Sequence, residues 1–195
     1  MIFSQAFGGL IPGARGATVS VLLRTGTPLT GRQVHRLLEG SFSLRAVQDA
    51  LKFAESIGLV TTETVGRARL HHVNTDHFAV APLRVLRDPM AALESVIAEN
   101  IDQRVQSVIL FGSVARGEAS DRSDIDLAVI TISEWDGQAD LRDAVQRRMG
   151  CSCDVLVQTR ARFDELARAG EPVIVDILRD GFAVYGERLS TMRKA

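Results

Sequence analysis

Two aspartates one residue apart, Asp124 and Asp126, stand at the start of the apolar run from Ile125 to Ile130. Such a run is typical of a buried strand, in which residues i and i+2 face the same way, so the two carboxylates lie side by side. Buried like charges repel each other and lose hydration, and they need compensation. Because Mg²⁺ prefers carboxylate oxygens together with substrate phosphates, the pair predicts a metal and phosphate site. The alternative is an acidic turn beside a core strand.

A second signal precedes the aspartates. The apolar run Val108–Phe111 ends in Gly112-Ser113, where backbone N–H groups and a hydroxyl could receive a phosphate. Gly112-Ser113, ten residues and then Asp124-x-Asp126 resemble the signature of the polymerase-beta-like nucleotidyltransferases in their small, minimal form. The similarity extends to Ala115-Arg116-Gly117 and to Ser123-Asp124-Ile125-Asp126-Leu127.

Asp154 is a third carboxylate of interest, because it lies in a short apolar strand predicted from Cys153 to Gln158. An acidic residue in such a strand costs free energy unless it has a role. In the resembled family a third acidic residue, on the strand after the Asp-x-Asp strand, completes the metal site, and Asp154 matches that position. The alternative is an aspartate at a strand edge whose charge is solvated.

The resemblance implies a Mg²⁺-dependent enzyme that transfers a nucleoside monophosphate to a hydroxyl group. The expected donor is ATP, and the group transferred is then AMP. It implies two Mg²⁺ ions held by Asp124 and Asp126, with Asp154 as ligand of the second ion and as a group that helps deprotonate the acceptor. Metal ions and positioning carry the catalysis of such a transfer.

The resemblance also implies four nucleotide-binding residues, Gly112, Ser113, Arg116 and Ser123. Gly112 permits close approach of the backbone to the phosphates, and Ser113 donates to the β- or γ-phosphate. Arg116 could neutralise charge on the triphosphate. An alternative partner for Arg116 is Glu118 or Asp121.

The charge of the chain divides near residue 88. Residues 1–88 carry ten Lys and Arg against six Asp and Glu, whereas residues 89–195 carry thirteen against eighteen. A basic half beside an acidic, carboxylate-bearing half predicts two domains with different partners, over 1–88 and 89–195.

The first half predicts an extended arm or short strand over residues 1–13, then three helices and a hairpin. The helices are expected at 14–25, 31–39 and 43–57, and the hairpin at 59–64 and 68–73. Thr30 and Ser43 are the expected N-caps of the second and third helices. This order resembles the winged helix-turn-helix domain of small bacterial transcriptional regulators, and a connecting helix is predicted over Asp76–Arg87.

In that domain the third helix is the recognition helix, and its outward residues would reach base edges or phosphates. The predicted DNA-binding residues are Ser43, Arg45, Gln48 and Lys52 on the helix and Arg67 and Arg69 on the wing. The alternative is a module for dimerisation or protein docking, since scattered arginines commonly form a solvated face.

The second half alternates strands with helices, which predicts a small mixed β-sheet with helices packed on it. The whole chain is therefore expected to be α+β, a winged helix-turn-helix followed by a small polymerase-beta-like domain. The strands are expected at Val105–Phe111, Asp124–Ile132 and Cys153–Gln158.

The cysteines and two of the histidines do not predict a metal site. Cys151 and Cys153 offer too few ligands for zinc and are expected to be apolar fillers. His71 and His72 point to opposite faces of a strand, so a surface or hydrogen-bonded role is expected.

The acceptor is not written in the motif. Small members of the resembled family include antitoxins that AMPylate a partner toxin and enzymes that adenylylate aminoglycosides, and a fused DNA-binding domain fits the first because antitoxins often bind their own promoter. Two alternatives stay open: a DNA-binding regulator that senses nucleotide, and a nucleotidyltransferase acting on an antibiotic.

The sequence also predicts where the protein resides. The chain has no apolar run long enough to span a membrane, and its two cysteines look unpaired, so a cytoplasmic protein is expected. A homodimer stays open.

Overall fold

The computed structural model describes residues 5–120 and 123–187. They form two units, one over Gln5–Pro89 and the other over the described residues from 90 onward. Each unit buries apolar side chains of its own. Among the described residues, no helix combines the length and the apolar character needed to cross a membrane.

The first unit joins helices to a small antiparallel sheet, whose strands lie in the order β1-β3-β2. Its elements are α1 (Gly13–Thr25), β1 (Leu29–Thr30), α2 (Gly31–Leu37), α3 (Leu44–Ser56), β2 (Val60–Val65), β3 (Ala68–Val73) and α4 (Val80–Leu86). The predicted helices and hairpin are therefore present, with ends that differ by a few residues. The side chains that fill its core include Leu22, Val34, Val47, Leu51 and Val60.

Side-chain caps determine where two of these helices begin. The Thr30 hydroxyl accepts the N–H of Gln33 at 3.3 Å, and the Gln33 side chain accepts the N–H of Thr30 at 2.8 Å, which completes a capping box on α2. The Ser43 hydroxyl accepts the N–H of Ala46 at 3.2 Å and caps α3. Both N-caps confirm the sequence prediction.

Two local predictions in this unit are wrong. Ala6–Gly9 form a short 3₁₀ helix rather than an extended arm, with Phe7 buried at a φ of 55°, while residues 1–4 lie outside the described chain. The connecting helix begins at Val80 and not at Asp76. The side chain of Asn74 accepts the N–H of Asp76 and donates to the carbonyl of Gly58, so residues 74–76 form a turn.

The second unit is built on a four-stranded mixed sheet of order β6-β5-β4-β7. Its elements are α5 (Pro89–Glu99), β4 (Val105–Phe111), α6 (Gly112–Ala115), β5 (Ile125–Thr131), α7 (Gln138–Met149), β6 (Cys153–Thr159), α8 (Arg160–Ala169), α9 (Pro172–Asp180) and β7 (Phe182–Gly186). Strands β5 and β6 are parallel, whereas β4 is antiparallel to both β5 and β7. A mixed sheet with flanking helices confirms the α+β prediction for this unit.

Strand alternation assigns each face of this sheet to different helices. Leu127 and Val129 of β5 join the apolar cluster of α5 and α7, whereas Ala128 and Ile130 join the cluster of α8 and α9. Asp126 has the same parity as Ala128, so its side chain belongs to the α8–α9 face. That face is where the candidate site lies.

Candidate active site

Three aspartates meet at one end of the parallel strand pair. Asp126 of β5 and Asp154 of β6 are direct partners in the register of these strands, and Asp124 precedes β5 by one residue. Side chains at paired positions of neighbouring strands share a face, and Asp124 and Asp126 share one through their i, i+2 spacing. The fold therefore brings the three predicted carboxylates to the same face and the same end of the sheet.

The pKa of Asp126 is shifted by its surroundings. This side chain is half-buried, whereas Asp124 and Asp154 are exposed. Burial raises the pKa of Asp126 above its ordinary value, the negative charges of Asp154 and Asp124 raise it further, and the positive charge of Arg116 opposes them. A cation at this position would relieve both the desolvation and the like-charge repulsion.

Gly112 lies against Asp126. It has a φ of 73°, in the left-handed region that favours glycine, and a Cβ built on it would overlap the Asp126 carboxylate. Phe111, the residue before it, is the register partner of Asp126 across β4 and β5. The absence of a side chain at Gly112 thus makes room for the Asp126 carboxylate.

A single helical turn, α6, begins at Gly112, where no helix was predicted from the sequence. Ser113 is half-buried in it, and its carbonyl accepts the N–H of Glu118 at 2.9 Å. Ser123, the fourth predicted nucleotide-binding residue, accepts the N–H of Ser120 through its hydroxyl at 2.8 Å. The Ser123 side chain therefore closes the loop that leads into Asp124.

Arg116 follows this turn and forms ion pairs with two carboxylates. Its Nε donates to Glu118 Oε2 at 2.8 Å, as the sequence alternative anticipated, and its Nη1 lies 3.9 Å from Asp180 Oδ2. The second partner, at the end of α9, has no counterpart in the sequence analysis. Asp121, the other predicted partner, lies outside the described residues.

The donor chemistry of the three aspartates fits a hard divalent cation such as Mg²⁺, which binds carboxylate oxygens. Asp126 supports this fit, because its carboxylate is partly desolvated and is repelled by two further carboxylates. Across residues 5–120 and 123–187, however, no three His, Cys, Asp or Glu side chains are gathered closely enough to enclose an ion. The three aspartates lie on one face of the sheet, and the charges of Asp124 and Asp154 act on Asp126. Their side chains do not converge on one point.

The predicted DNA-binding residues lie on the first unit, and they differ in what they already contact. Gln48, Lys52, Arg67 and Arg69 line a concave surface of about 610 Å³ between α3 and the β2–β3 hairpin, which Arg32 of α2 also lines. Arg32 is absent from the sequence prediction, although its place in the first turn of α2 could have suggested it.

Three of the predicted DNA-binding side chains already have a partner within the unit. The Ser43 hydroxyl caps α3, and Arg45 lies 3.9 Å from Asp49, with both side chains exposed. Arg69 donates from Nη2 to both carboxylate oxygens of Glu55, at 3.0 and 3.1 Å. Arg69 is therefore less available to a phosphate than its exposure suggests.

His71, His72 and Cys153 each make contacts typical of a structural role. His71 is buried with Nδ1 2.9 Å from the Thr62 hydroxyl, and His72 Nε2 lies 2.8 Å from the Thr61 hydroxyl. Burial, followed by the charge of Arg69, lowers the pKa of His71. Cys153 is buried in the core on the α5–α7 face, and burial raises the pKa of its thiol to about 12, which leaves it an inert apolar filler.

Comparison with known families places the second unit. Residues 93–187 match the family model described as polymerase beta, nucleotidyltransferase. The match includes all three aspartates and the four predicted nucleotide-binding residues. No curated protein matches the chain as a sequence relative.

Solved structures give more distant likenesses. A toxin–antitoxin with AMP-PNP matches with 20% identity and a TM-score of 0.40, over 51% of this chain and 74% of that chain. A tri-AMPylated HEPN toxin in complex with MNT antitoxin, from Shewanella oneidensis, matches with 19% identity and a TM-score of 0.35, over 50% and 73%. TrmBL2, an archaeal chromatin protein, matches with 14% identity and a TM-score of 0.30, over 87% and 70%. At these values the likenesses assign no ligand and no partner.

Proposed function

Residues 93–187 form a nucleotidyltransferase domain of the polymerase beta family, and we propose that this domain transfers a nucleoside monophosphate from an NTP to a hydroxyl group. The observation that carries the proposal is the register pairing of Asp126 with Asp154 beside Asp124, at the point where Gly112 leaves room for the Asp126 carboxylate. Burial raises the pKa of Asp126, and the charges of Asp154 and Asp124 raise it further, which is the kind of perturbation that clusters at functional sites.

Asp124, Asp126 and Asp154 would hold Mg²⁺, which supplies charge neutralisation and alignment for an in-line displacement of pyrophosphate. Gly112 would let the backbone approach the triphosphate, and Ser113 would donate its hydroxyl to a phosphate oxygen. Arg116 would place positive charge beside the phosphates, as it already does beside Asp126. The exposed Asp154 carboxylate would accept the proton of the attacking hydroxyl.

ATP is the proposed donor, and the proposed acceptor is a hydroxyl on a partner toxin protein. Two features support a macromolecular acceptor. Asp124 and Asp154 are exposed, and Asp154 lies on β6, which is an edge strand of the sheet. The resemblance to small antitoxin-type members of the family supports the choice of a toxin.

We also infer that the first unit is a winged helix-turn-helix that binds DNA. The order α1, β1, α2, α3, β2, β3, with β1 paired to β3, supports the fold. The concave surface between α3 and the hairpin supports the interface, because Arg32, Lys52 and Arg67 line it and can contact phosphates. For an antitoxin-type protein, binding to its own promoter would give autoregulation.

One experiment separates the transfer reaction from its alternatives. The full chain is incubated with radiolabelled ATP, or another NTP, and Mg²⁺ in a cell lysate, and the products are resolved by gel and thin-layer chromatography. We expect label on a protein band that depends on the wild-type site and is lost in Asp126→Asn. Label on a small molecule would indicate the antibiotic-modifying alternative. Bound but unreacted nucleotide would indicate the nucleotide-sensing alternative and overturn the proposed transfer.

A further inference from the structure

Asp180 is the last residue of α9 and lies beside the candidate site. Helix α9 packs on the sheet face that carries Asp126, because Ile174 and Ile177 are buried with Ala128 in the same apolar cluster. The Asp180 side chain is only 20% exposed. From this helix end the Asp180 carboxylate comes within ion-pair distance of Arg116, which follows α6.

The contacts of Asp180 link α9 to Arg116, which follows α6. Arg179, its neighbour, donates from Nε to Oδ1 at 3.0 Å and from Nη2 to Oδ2 at 2.8 Å. Arg116 Nη1 lies 3.9 Å from the same Oδ2. Arg179 also contacts Asp176 Oδ1 at 2.8 Å, one turn earlier on α9. The bidentate contact with Arg179 fixes the plane of the Asp180 carboxylate, and Arg116 meets a carboxylate that is already oriented.

Glu118 and Asp180 hold different nitrogens of Arg116. Glu118 accepts from Nε, and Asp180 lies against Nη1, so neither contact uses Nη2. A guanidinium is planar with its donors in a rigid fork, so the hydrogen bond at Nε together with the ion pair at Nη1 restricts the directions in which Nη2 can point. The backbone N–H of Arg116 donates to the carbonyl of Gly112 at 3.2 Å, and Gly112 lies against the Asp126 carboxylate, so Arg116 belongs to the turn that borders the carboxylate site.

We propose that Asp180 is a positioning residue for nucleotide binding: together with Glu118 it holds the Arg116 guanidinium so that Nη2 is presented to the triphosphate. The inference rests on the proposed nucleotidyl transfer and extends it to a residue at the end of α9. Ordering a side chain before the ligand arrives reduces the entropy lost on binding. Helix α9 therefore contributes to nucleotide affinity without a contact to the nucleotide.

A charge-only role makes the opposite prediction. If Asp180 merely diluted the positive field around Arg116, its removal would strengthen the attraction for a triphosphate. If it orients Arg116, the removal of its charge weakens nucleotide binding even though the site becomes more positive. The sign of the change in nucleotide affinity therefore distinguishes positioning from simple electrostatics.

The test compares nucleotide binding in five forms of the full chain: wild type, Asp180→Asn, Asp180→Glu, Arg116→Gln and the double variant Asp180→Asn/Arg116→Gln. The Kd of a non-hydrolysable ATP analogue is measured with Mg²⁺ by calorimetry, and KM and kcat are measured in the labelling assay. We expect Asp180→Asn to raise Kd and KM about three- to tenfold, with kcat nearly unchanged, because orientation affects ground and transition states alike. Asp180→Glu should restore part of the affinity.

The double variant and a matched control keep the inference falsifiable. Added to Arg116→Gln, the Asp180→Asn change should have no further effect, since Asp180 acts through Arg116. Asp176→Asn removes another carboxylate from Arg179 without touching Arg116, and it should leave Kd unchanged. An equal loss of affinity with and without Arg116, or tighter binding by Asp180→Asn, would overturn the positioning role alone. A wild-type chain that binds no NTP would overturn the proposed function and this inference together.

Discussion

Gly112 and Asp126 lie so close that any side chain at position 112 would overlap the Asp126 carboxylate. Two independent constraints thus fall on one residue: a φ of 73°, which only glycine adopts without strain, and the volume taken by the carboxylate. The strand β4 ends and the turn α6 begins at this position. The Gly-Ser motif therefore determines the geometry of the carboxylate site, at the position where we propose that a phosphate binds.

The effect of this overlap can be measured against a matched glycine. Gly117 has the same φ of 73°, and a Cβ built on it meets nothing within 4 Å. Alanine at either position pays the left-handed backbone cost of roughly 1–2 kcal/mol, but only Gly112→Ala must also displace Asp126. We expect Gly117→Ala to retain most transfer activity and Gly112→Ala to lose it, with the larger fall in the free energy of unfolding measured by urea titration. Equal effects would show that backbone strain alone acts at Gly112.

We expect Asp126→Asn to stabilise the fold while abolishing transfer. The folded-state pKa of Asp126 is raised, so the native chain holds its proton more tightly than the unfolded chain does, and the ionised carboxylate at neutral pH opposes folding. Asparagine removes that charge with little change of shape. The Tm of Asp126→Asn should therefore lie above that of the wild type at neutral pH.

The pH dependence of this gain has a defined sign. As the pH falls towards the ordinary aspartate value of 3.8, Asp126 becomes protonated in the wild type and the difference in Tm should shrink. Calorimetric scans at pH 7.5 and pH 5 measure it. A lower Tm for Asp126→Asn at pH 7.5 would mean that the carboxylate makes a stabilising contact.

Asp154→Asn tests the third carboxylate of the proposed site. Loss of a metal ligand and proton acceptor should reduce the transfer rate at least about 100-fold. Asp143→Asn is the control, because Asp143 is exposed on α7 and contacts the neighbouring Arg142. Circular dichroism should show both variants folded. Comparable activity of Asp154→Asn and wild type would return Asp154 to the solvated strand-edge alternative.

The sequence predicted those features of the second unit that depend on neighbouring residues. The i, i+2 spacing in an apolar run placed Asp124 and Asp126 on one face, and the alternation of strands with helices predicted the mixed sheet with Asp154 on its own strand. Only the role of Asp154 as a third ligand came from the family resemblance. The parallel register that sets Asp126 opposite Asp154 is a property of the folded sheet. Their assignment to catalysis stays a prediction.

The sequence did not reveal the long-range contact between Arg116 and Asp180. Asp180 ends a helix beside Arg179, and nothing in that local sequence indicates a partner so far back along the chain. The single turn of α6 was also missed. A glycine followed by a serine favours a turn equally well, and packing of α6 against neighbouring elements decides the outcome.

DNA binding through the first unit predicts a specific dependence on salt. Lys52→Ala and Arg67→Ala should each weaken binding to upstream DNA and reduce the slope of log K against log salt by about 1, because each removes one phosphate contact. Arg69→Ala should have a smaller effect, since Arg69 is paired with Glu55. Arg24→Ala, exposed on α1, serves as the control. Electrophoretic shifts at several salt concentrations give the slopes, and identical slopes for all variants would favour the docking alternative.

His71 makes the stability of the first unit depend on pH. Burial, reinforced by Arg69, lowers the folded-state pKa of His71 below its ordinary value of 6.5. Below pH 6.5 the unfolded chain therefore takes up a proton more readily than the native chain, so the free energy of unfolding falls as the pH drops through this region. His71→Gln keeps a group that can hydrogen-bond Thr62 and cannot titrate, so it should lose less stability than the wild type between pH 7.5 and pH 5.5. Urea unfolding at both pH values measures the two losses. Equal losses would mean that His71 accepts its proton in the folded state as easily as in the unfolded one.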